Sequence, residues 1–337
     1  MSEPALQLTP PVDSPVPTLA EFVEASGLAS VVVGVSKDPN AKITVLLVSR
    51  TTGRAVLAVK VPTTTAAAGV VEAERRNLET LPRRLPHDLL RSVPRLVRMV
   101  DASGLPAIVT TAVPGAPMSQ DYLGRPAAVR ARAAGHFAAA SRWLERLQTE
   151  TARAVAPIDV DTGVAGALLA RFEDDPCVGG DIARLAEVHA RLREHAVPRT
   201  VVHGDLWFGN LLLDRGRIAG VVDWEASSAR GEPLRDVARF VVMYALYLDA
   251  RTRPGRRVRG LAGLRAGDWG AGVVFAVDGS GWFPELFRGF VREALDRLGA
   301  PRALWRDVVL AGIAEVAAQT DDPAFARAHL RLLRRLR

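Results

Sequence analysis

The stretch from Val201 to Glu225 constrains the fold of this 337-residue chain more than any other part of it. Its sequence, VVHGDLWFGNLLLDRGRIAGVVDWE, reads as strand, polar loop, strand, tight turn and strand. The apolar strands should bring Asp205, Asn210 and Asp223 close together at the opening of one site. Two carboxylates and one carboxamide are oxygen donors that suit a hard cation such as Mg²⁺, which binds few protein ligands.

Phosphoryl transfer needs the same kinds of side chain. A carboxylate orients the attacking hydroxyl, an Asn and an Asp hold metal on the nucleotide phosphates, and a Lys anchors those phosphates. Asp205 and Asn210 have the Asp-x-x-x-x-Asn spacing of a kinase catalytic loop, and Asp223 follows one hairpin later. The pattern predicts Asp205 as the catalytic residue and Asn210 and Asp223 as Mg²⁺ ligands. The alternative is an ordinary hairpin with Asp and Asn capping its turns.

This stretch resembles the aminoglycoside phosphotransferase family, which is related to choline kinase and more distantly to protein kinases. His-Gly-Asp at 203–205 stands where protein kinases have His-Arg-Asp, and Asp-Trp-Glu at 223–225 stands where they have Asp-Phe-Gly. The resemblance implies an α+β, two-lobed protein-kinase-like fold with an N-terminal antiparallel sheet lobe and a mostly helical C-terminal lobe. We expect a flexible lead over 1–17, a nucleotide-binding lobe over 18–112, and a lobe carrying the catalytic loop and substrate site over 113–337.

Lysine is rare in this chain. Of 44 Lys and Arg residues, only Lys37, Lys42 and Lys60 are lysines. Where Arg serves almost every surface position, a remaining Lys is expected where a compact ammonium is required. Lys60 closes the apolar strand 55–59 and resembles the third-strand Lys that pairs with the α- and β-phosphates.

A helix is predicted over 66–81, directly after that strand. Glu74 lies on the same face as Leu78 and Leu81, so it points toward the core. It resembles the helix C Glu that orients the Lys. Glu72 is the alternative, and a solvated Glu paired with a neighbouring Arg is the third possibility.

Two further nucleotide contacts follow from the resemblance. Strand-like runs at 30–35, 43–49, 55–61, 95–100 and 107–111 predict the sheet. The turn after the first run lacks a GxGxxG loop, yet Ser36 with backbone amides can cradle phosphate, unless this turn is a plain surface hairpin. The segment after the last run resembles the hinge, where the Thr111 carbonyl and Val113 amide would read the adenine edge. A backbone hinge leaves both ATP and GTP open as donors.

From residue 125 onward the chain is predicted to be mostly helical. Asp236 resembles the family's structural Asp, whose side chain supports the active-site loops by hydrogen bonds. Residues 251–281 are rich in Gly and Arg and predicted to be poor in helix, as a substrate-facing lid or surface loop. The remaining helices are predicted at 127–151, 164–174, 181–195, 283–298, 302–318 and 323–336.

Charge and cysteine content limit the classes of partner and the compartment that we expect for this protein. The net charge is +7 and the isoelectric point near 10.3, but the arginines are scattered and no aromatic-interleaved basic module occurs, so we expect no nucleic-acid partner. The balance favours a neutral or anionic substrate over a polycation. No apolar run is long enough for a membrane span, and the acidic, proline-rich N-terminus does not read as a signal peptide. Cys177 is the single cysteine and fits a reducing cytoplasm.

The sequence thus predicts an Mg²⁺-dependent kinase that moves the γ-phosphoryl group of ATP or GTP to a small-molecule hydroxyl. The abundance of Arg fits a GC-rich bacterium, which favours an antibiotic or another natural product, modified on a sugar hydroxyl, as the acceptor. A metabolic kinase for choline, homoserine or a sugar is the alternative, and a catalytically silent nucleotide-binding protein is another. A protein kinase is disfavoured by the missing Gly-rich loop. A hydrolytic pair of His203 with Ser227 or Ser228 is disfavoured because no nucleophile elbow is present.

Overall fold

The computed structural model describes residues 16–35, 41–124, 130–159 and 163–336. Its contacts divide the chain into two compact units. Unit 1 comprises residues 1–114 and 220–226, and unit 2 comprises residues 115–219 and 227–337. None of the helices in the described ranges is long and apolar enough to cross a membrane.

Unit 1 is built on a five-stranded antiparallel sheet with the strand order β1-β2-β3-β5-β4. The sheet core consists of buried aliphatic side chains on alternating strand positions, as expected for a sheet with one covered face. Its strands are β1 (Ala29–Val35), β2 (Lys42–Val48), β3 (Ala55–Pro62), β4 (Leu96–Ala102) and β5 (Leu105–Thr111), and its helices are α1 (Leu19–Ser26), α2 (Thr65–Thr80) and α3 (His87–Leu90).

Helix α2 packs against β5 and supplies a charged group to the interior. It begins at the N-cap Thr64, whose hydroxyl accepts a hydrogen bond from the Ala67 amide at 3.1 Å. Its buried face recurs at helical spacing and includes Glu74 among apolar residues. A carboxylate buried there needs a cation. Register places Lys60 of β3 opposite Thr44 of β2 and Ile108 of β5, in the interior of the sheet.

Unit 2 is mostly helical, with short strands that hold its loops. Strand β9 pairs with β12 and β6 with β10, both antiparallel, and β11 runs from unit 2 into unit 1. The helices are α4 (Met118–Gly124), α5 (Arg130–Thr151), α6 (Val164–Arg171), α7 (Val178–Arg193), α8 (Leu234–Leu246), α9 (Ala271–Asp278), α10 (Trp282–Arg297), α11 (Trp305–Gln319) and α12 (Pro323–Arg335). The strands are β6 (Ala116–Pro117), β7 (Val155–Pro157), β8 (Ala196–Pro198), β9 (Thr200–Val202), β10 (Leu211–Asp214), β11 (Arg217–Val221) and β12 (Ser228–Gly231).

One helix of this unit was not predicted. The stretch 251–281 was expected to be poor in helix, and its helix is α9, which covers Ala271–Asp278. Most of α9 is buried, so its sequence AGVVFAVD has no polar face and shows no helical periodicity to recognise.

Helix α8 positions the functional loop of unit 2 and is buried along almost its whole length. It packs against α11 at Gly312, where an added Cβ would stand 2.5 Å from the Cβ of Ala238. Only glycine permits so close an approach of the two helices. Ala238 lies between Asp236 and Arg239, two charged residues whose contacts are described below.

Candidate active site

Lys60 lies among carboxylates in unit 1. Its Nζ donates to both carboxylate oxygens of Glu74, at 2.6 and 2.5 Å, and also to Oδ1 of Asp223. The side chains of Lys60 and Glu74 are 12% and 2% exposed. Glu72, the alternative partner, pairs instead with Arg75 at 2.7 Å. The structure therefore joins three of the predicted residues, Lys60, Glu74 and Asp223.

Burial and charge act in opposite directions on this cluster. Burial favours a neutral Lys60, but the surrounding carboxylates of Asp223, Glu74 and Glu225 outweigh it and raise the pKa of Lys60 above its ordinary value. Burial raises the pKa of Glu74, against the attraction of Lys60. The ammonium is therefore firmly protonated at neutral pH and provides a fixed positive charge.

The Asp223-Trp224-Glu225 segment is held by its own backbone and by α2. Asp223 has a φ of +66°, in the left-handed region that Asp tolerates better than most residues. The fully buried Trp224 donates its indole N–H to the Val221 carbonyl at 2.8 Å. Asn77 Nδ2 donates to the carbonyls of Trp224 and Glu225 at 2.8 and 3.0 Å. Helix α2 thus positions both Lys60 and this segment.

Glu225 and Lys42 extend the cluster beyond what the sequence predicted. Lys42 Nζ lies 2.6 Å from Glu225 Oε1, and Lys60 Nζ lies 4.0 Å from Glu225 Oε2. Two of the three lysines of the chain therefore meet the same acidic group, while Lys37 falls outside the described residues. In the sequence, the rarity of lysine marked these residues as candidates, but it did not indicate which carboxylates they contact.

Glu74, Asp223 and Glu225 place one carboxylate oxygen each within 4.8 Å of one another, a separation that can also suit a metal ion. Their oxygens surround the Lys60 ammonium, which offsets one of the three carboxylate charges. Asp223 is the most exposed of the three, which leaves it the best placed to bind a cation from solvent.

The predicted hinge lies at the end of β5. Thr111 donates its amide to the Arg95 carbonyl at 2.9 Å, and its hydroxyl accepts from the Arg95 amide at 3.0 Å. Val113 packs against Gly220, where an added Cβ would stand 2.7 Å from Val113 Cγ2. A glycine at 220 therefore lets β11 pass directly beside the hinge. Ser36, the predicted phosphate contact, lies outside the described residues.

In unit 2, one buried carboxylate holds the loop that follows β9. Asp236 accepts hydrogen bonds from the amides of His203 and Gly204 at 2.7 and 2.8 Å. Burial raises the pKa of Asp236, opposed by His203 and by these two amides. His203 is fully buried, so it does not reach a solvent-borne substrate as a hydrolytic base would.

Asp205 lies at the tip of this loop and is held from two sides. Arg239 donates through Nε to Oδ1 of Asp205 at 2.7 Å, and its Nη2 lies 2.6 Å from the same oxygen in an ion pair. Asn210 donates its Nδ2 to the Asp205 carbonyl at 3.0 Å and lies 3.3 Å from Asp205 Oδ2. The Asn210 amide nitrogen is thus engaged, which leaves its Oδ1 as the atom that can bind a cation. Arg239 was not predicted, although its i+3 spacing from Asp236 put both on one face of α8.

The five-stranded antiparallel sheet of unit 1 and the mostly helical unit 2 are the elements of a protein-kinase-like fold. The sequence profile of the phosphotransferase enzyme family (APH) matches residues 43–272. The chain therefore belongs to this family. No curated protein sequence matches it significantly.

Solved structures agree on the fold. A thermostable mutant of aminoglycoside phosphotransferase APH(4)-Ia, in its apo form, is 16% identical, with a TM-score of 0.56 over 93% of this chain and 97% of that one. ADP-bound APH(2'')-Ib is 12% identical, with a TM-score of 0.53 over 94% and 96%. APH(3'')-Id from Streptomyces rimosus is 18% identical, with a TM-score of 0.50 over 94% and 99%. At these identities the likeness shows the fold alone.

Proposed function

We propose that this protein transfers the γ-phosphoryl group of ATP or GTP to a hydroxyl of a small molecule, with a sugar hydroxyl of an antibiotic or other natural product favoured. The observation that carries the proposal is the Lys60 ammonium held between Glu74 and Asp223. A buried, permanently charged ammonium on a sheet strand is suited to binding the α- and β-phosphates of a nucleotide. The free Cys177 and the nucleotide donor both fit a cytoplasmic enzyme.

The roles follow from the side chains. Lys60 binds the nucleotide phosphates and Glu74 keeps it in place. Asp205 orients the acceptor hydroxyl through its carboxylate, whose Oδ1 accepts from Arg239 and whose Oδ2 accepts a longer hydrogen bond from Asn210. The acceptor oxygen forms a bond to the γ-phosphorus as the bond to the β,γ-bridging oxygen breaks. The hydroxyl proton passes late to Asp205, and the nucleoside diphosphate leaves.

A divalent cation fits the donor set of this chain. Asn210 Oδ1 and the Asp223 carboxylate are hard oxygen ligands of the kind Mg²⁺ prefers. Bound there, Mg²⁺ would neutralise phosphate charge. Related enzymes support nucleotide and antibiotic binding, since APH(4)-Ia forms a ternary complex with ADP and hygromycin B.

A phosphorylation panel tests the proposal. The purified protein is incubated with Mg²⁺, ATP or GTP, and acceptors from the aminoglycosides, macrolides, nucleosides, neutral sugars and amino alcohols, and products are followed by the mass of one added phosphate. A product that is lost in Asp205→Asn supports the proposal and identifies donor and acceptor. A product only from choline, homoserine or a simple sugar supports a metabolic kinase instead. Mg²⁺-nucleotide binding without hydrolysis or any product supports a silent nucleotide-binding protein.

A further inference from the structure

Arg239 stands directly against the carboxylate that we assign to the acceptor hydroxyl. Its Nε donates to Asp205 Oδ1, and its Nη2 forms an ion pair with the same oxygen. The side chains of Arg239 and Asp205 are 22% and 32% exposed, so both remain accessible to a bound molecule. Arginine keeps its charge at every physiological pH. A substrate hydroxyl at Asp205 therefore lies within a few ångströms of a permanent positive charge.

Asp205 is the carboxylate that pairs with Arg239, and the other charged groups near Arg239 in the described residues do not pair with it. Glu315 of α11 is within electrostatic reach of Arg239, but it is paired with Arg235, whose Nε lies 2.5 Å from Glu315 Oε1. His329 of α12 is also within reach, and burial lowers its pKa to about 4, so it is neutral at physiological pH. Among the contacts of the described residues, Arg239 Nη1 has no hydrogen-bond partner and remains available to an oxygen of the acceptor.

We propose that Arg239 determines acceptor specificity by excluding molecules that carry an ammonium group next to the reacting hydroxyl. Resting on the proposed function, this assigns the enzyme to uncharged acceptors, such as the neutral sugar or polyol part of a natural product. An acceptor oxygen can receive a hydrogen bond from Arg239 Nη1, whereas an ammonium would be repelled there. The same residue is a positioning residue for Asp205, because it holds Oδ1 and so fixes the orientation of the carboxylate.

Charge-changing variants test the proposal with two acceptor probes of similar size. Maltotriose offers only neutral hydroxyls, and tobramycin offers hydroxyls beside ammonium groups. Arg239→Gln removes the positive charge. Arg239→Lys keeps a positive charge but lacks the planar guanidinium group. Arg146→Gln removes a charge from an exposed i,i+4 pair with Glu150 and serves as the matched control. The affinities of tobramycin and maltotriose are measured by calorimetry in the presence of the Mg²⁺ complex of a non-hydrolysable ATP analogue, and folding is checked by thermal melting.

We expect Arg239→Gln to bind tobramycin at least about tenfold more tightly than the wild type, because removing a like charge near the site removes its repulsion. Arg239→Lys and Arg146→Gln should match the wild type in tobramycin affinity. The ratio of maltotriose to tobramycin affinity should fall only in Arg239→Gln.

Three results would overturn the proposal: tight tobramycin binding or phosphorylation by the wild type, no gain in Arg239→Gln, or the same gain in Arg239→Lys. Failure of the proposed function is recognised separately. In that case the wild type shows neither nucleotide binding nor hydrolysis of ATP by water, whatever the tobramycin affinities are.

Discussion

The two clusters of this protein have opposite charge arrangements. In unit 1 a cation, Lys60, is surrounded by the carboxylates of Glu74, Asp223 and Glu225. In unit 2 a carboxylate, Asp205, is tied to one cation, Arg239. The first is suited to hold phosphates by charge, while the second is suited to hold a hydroxyl without attracting cations. Under the proposed function, the donor is bound by the charge of Lys60 and the acceptor is selected by the charge of Arg239, and the following predictions test that separation.

The largest effect is expected from Asp205→Asn. Turnover should fall by about 10²–10⁴-fold, because Asn cannot take the hydroxyl proton. Nucleotide affinity should stay within about twofold of the wild type, since we assign phosphate binding to unit 1. Steady-state kinetics and calorimetry with Mg²⁺-ATP measure the two quantities. Near-normal turnover, or an equal loss of affinity, would contradict the assignment.

The next effect concerns stability. Lys60→Met leaves Glu74 buried without its cation and should lower the free energy of unfolding by about 3–5 kcal/mol. The double variant with Glu74→Gln should recover much of that loss. Arg75→Met is the matched control on α2, because its partner Glu72 is partly exposed and such pairs contribute about 0–1 kcal/mol. Urea unfolding provides the values, and equal losses in the two single variants would show that burial is not the cause.

A third prediction concerns how stability depends on pH through His329, which lies near Arg239. His329 has a pKa of about 4 in the folded protein because it is buried, against about 6.5 unfolded. Its Nδ1 donates a hydrogen bond to the Phe325 carbonyl at 2.9 Å, and Nε2 has no partner among the described residues. The folded state therefore resists protonation of His329.

The pKa of His329 is lower in the folded state than in the unfolded state. The contribution of neutral His329 to the free energy of unfolding is therefore fully present above pH 6.5, and it is lost as the pH falls from about 6.5 to about 4. The loss attributable to this group is about 3 kcal/mol. Melting temperatures across that range should fall less steeply for His329→Phe than for the wild type. Identical slopes would show that other groups govern acid unfolding.

The smallest effect is expected from Lys42→Met. This change leaves Glu225 unpaired beside Lys60 and adds net negative charge to the proposed phosphate site. Nucleotide affinity should fall by about three- to tenfold with turnover nearly unchanged. Lys42→Arg keeps the charge and should retain most of the affinity. A loss of turnover without a loss of affinity would place Lys42 in the chemical step instead.

Local sequence patterns predicted much of the fold and of the candidate site. The five strands and α2 followed from apolar alternation and helical periodicity, and the same periodicity distinguished Glu74 from Glu72. The sheet and the family are confirmed. The assignments of Asp205, Asn210 and Asp223 to catalysis and metal binding stay predictions, as do those of Ser36, Thr111 and Val113.

Three contacts could not be read from the sequence because their partners are remote. Arg239 and Asp205 are 34 residues apart, Asn77 and Trp224 are 147 apart, and Lys42 and Glu225 are 183 apart. Periodicity indicates which face of a helix or strand is buried, but not which distant side chain meets it. Helix α9 was missed for the opposite reason, since burial on every side removes the periodic signal.

The close approach of Gly312 to Ala238 links the last third of the chain to turnover. In an exposed helix, replacing Gly by Ala stabilises the protein by about 1 kcal/mol. At position 312 the new methyl group would stand 2.5 Å from Ala238 Cβ, so α8 or α11 has to shift. Ala238 sits between the two residues that hold His203, Gly204 and Asp205, so the shift reaches the loop directly. We therefore expect Gly312→Ala to displace the loop that carries Asp205 and to lower turnover, although the altered atom touches no substrate.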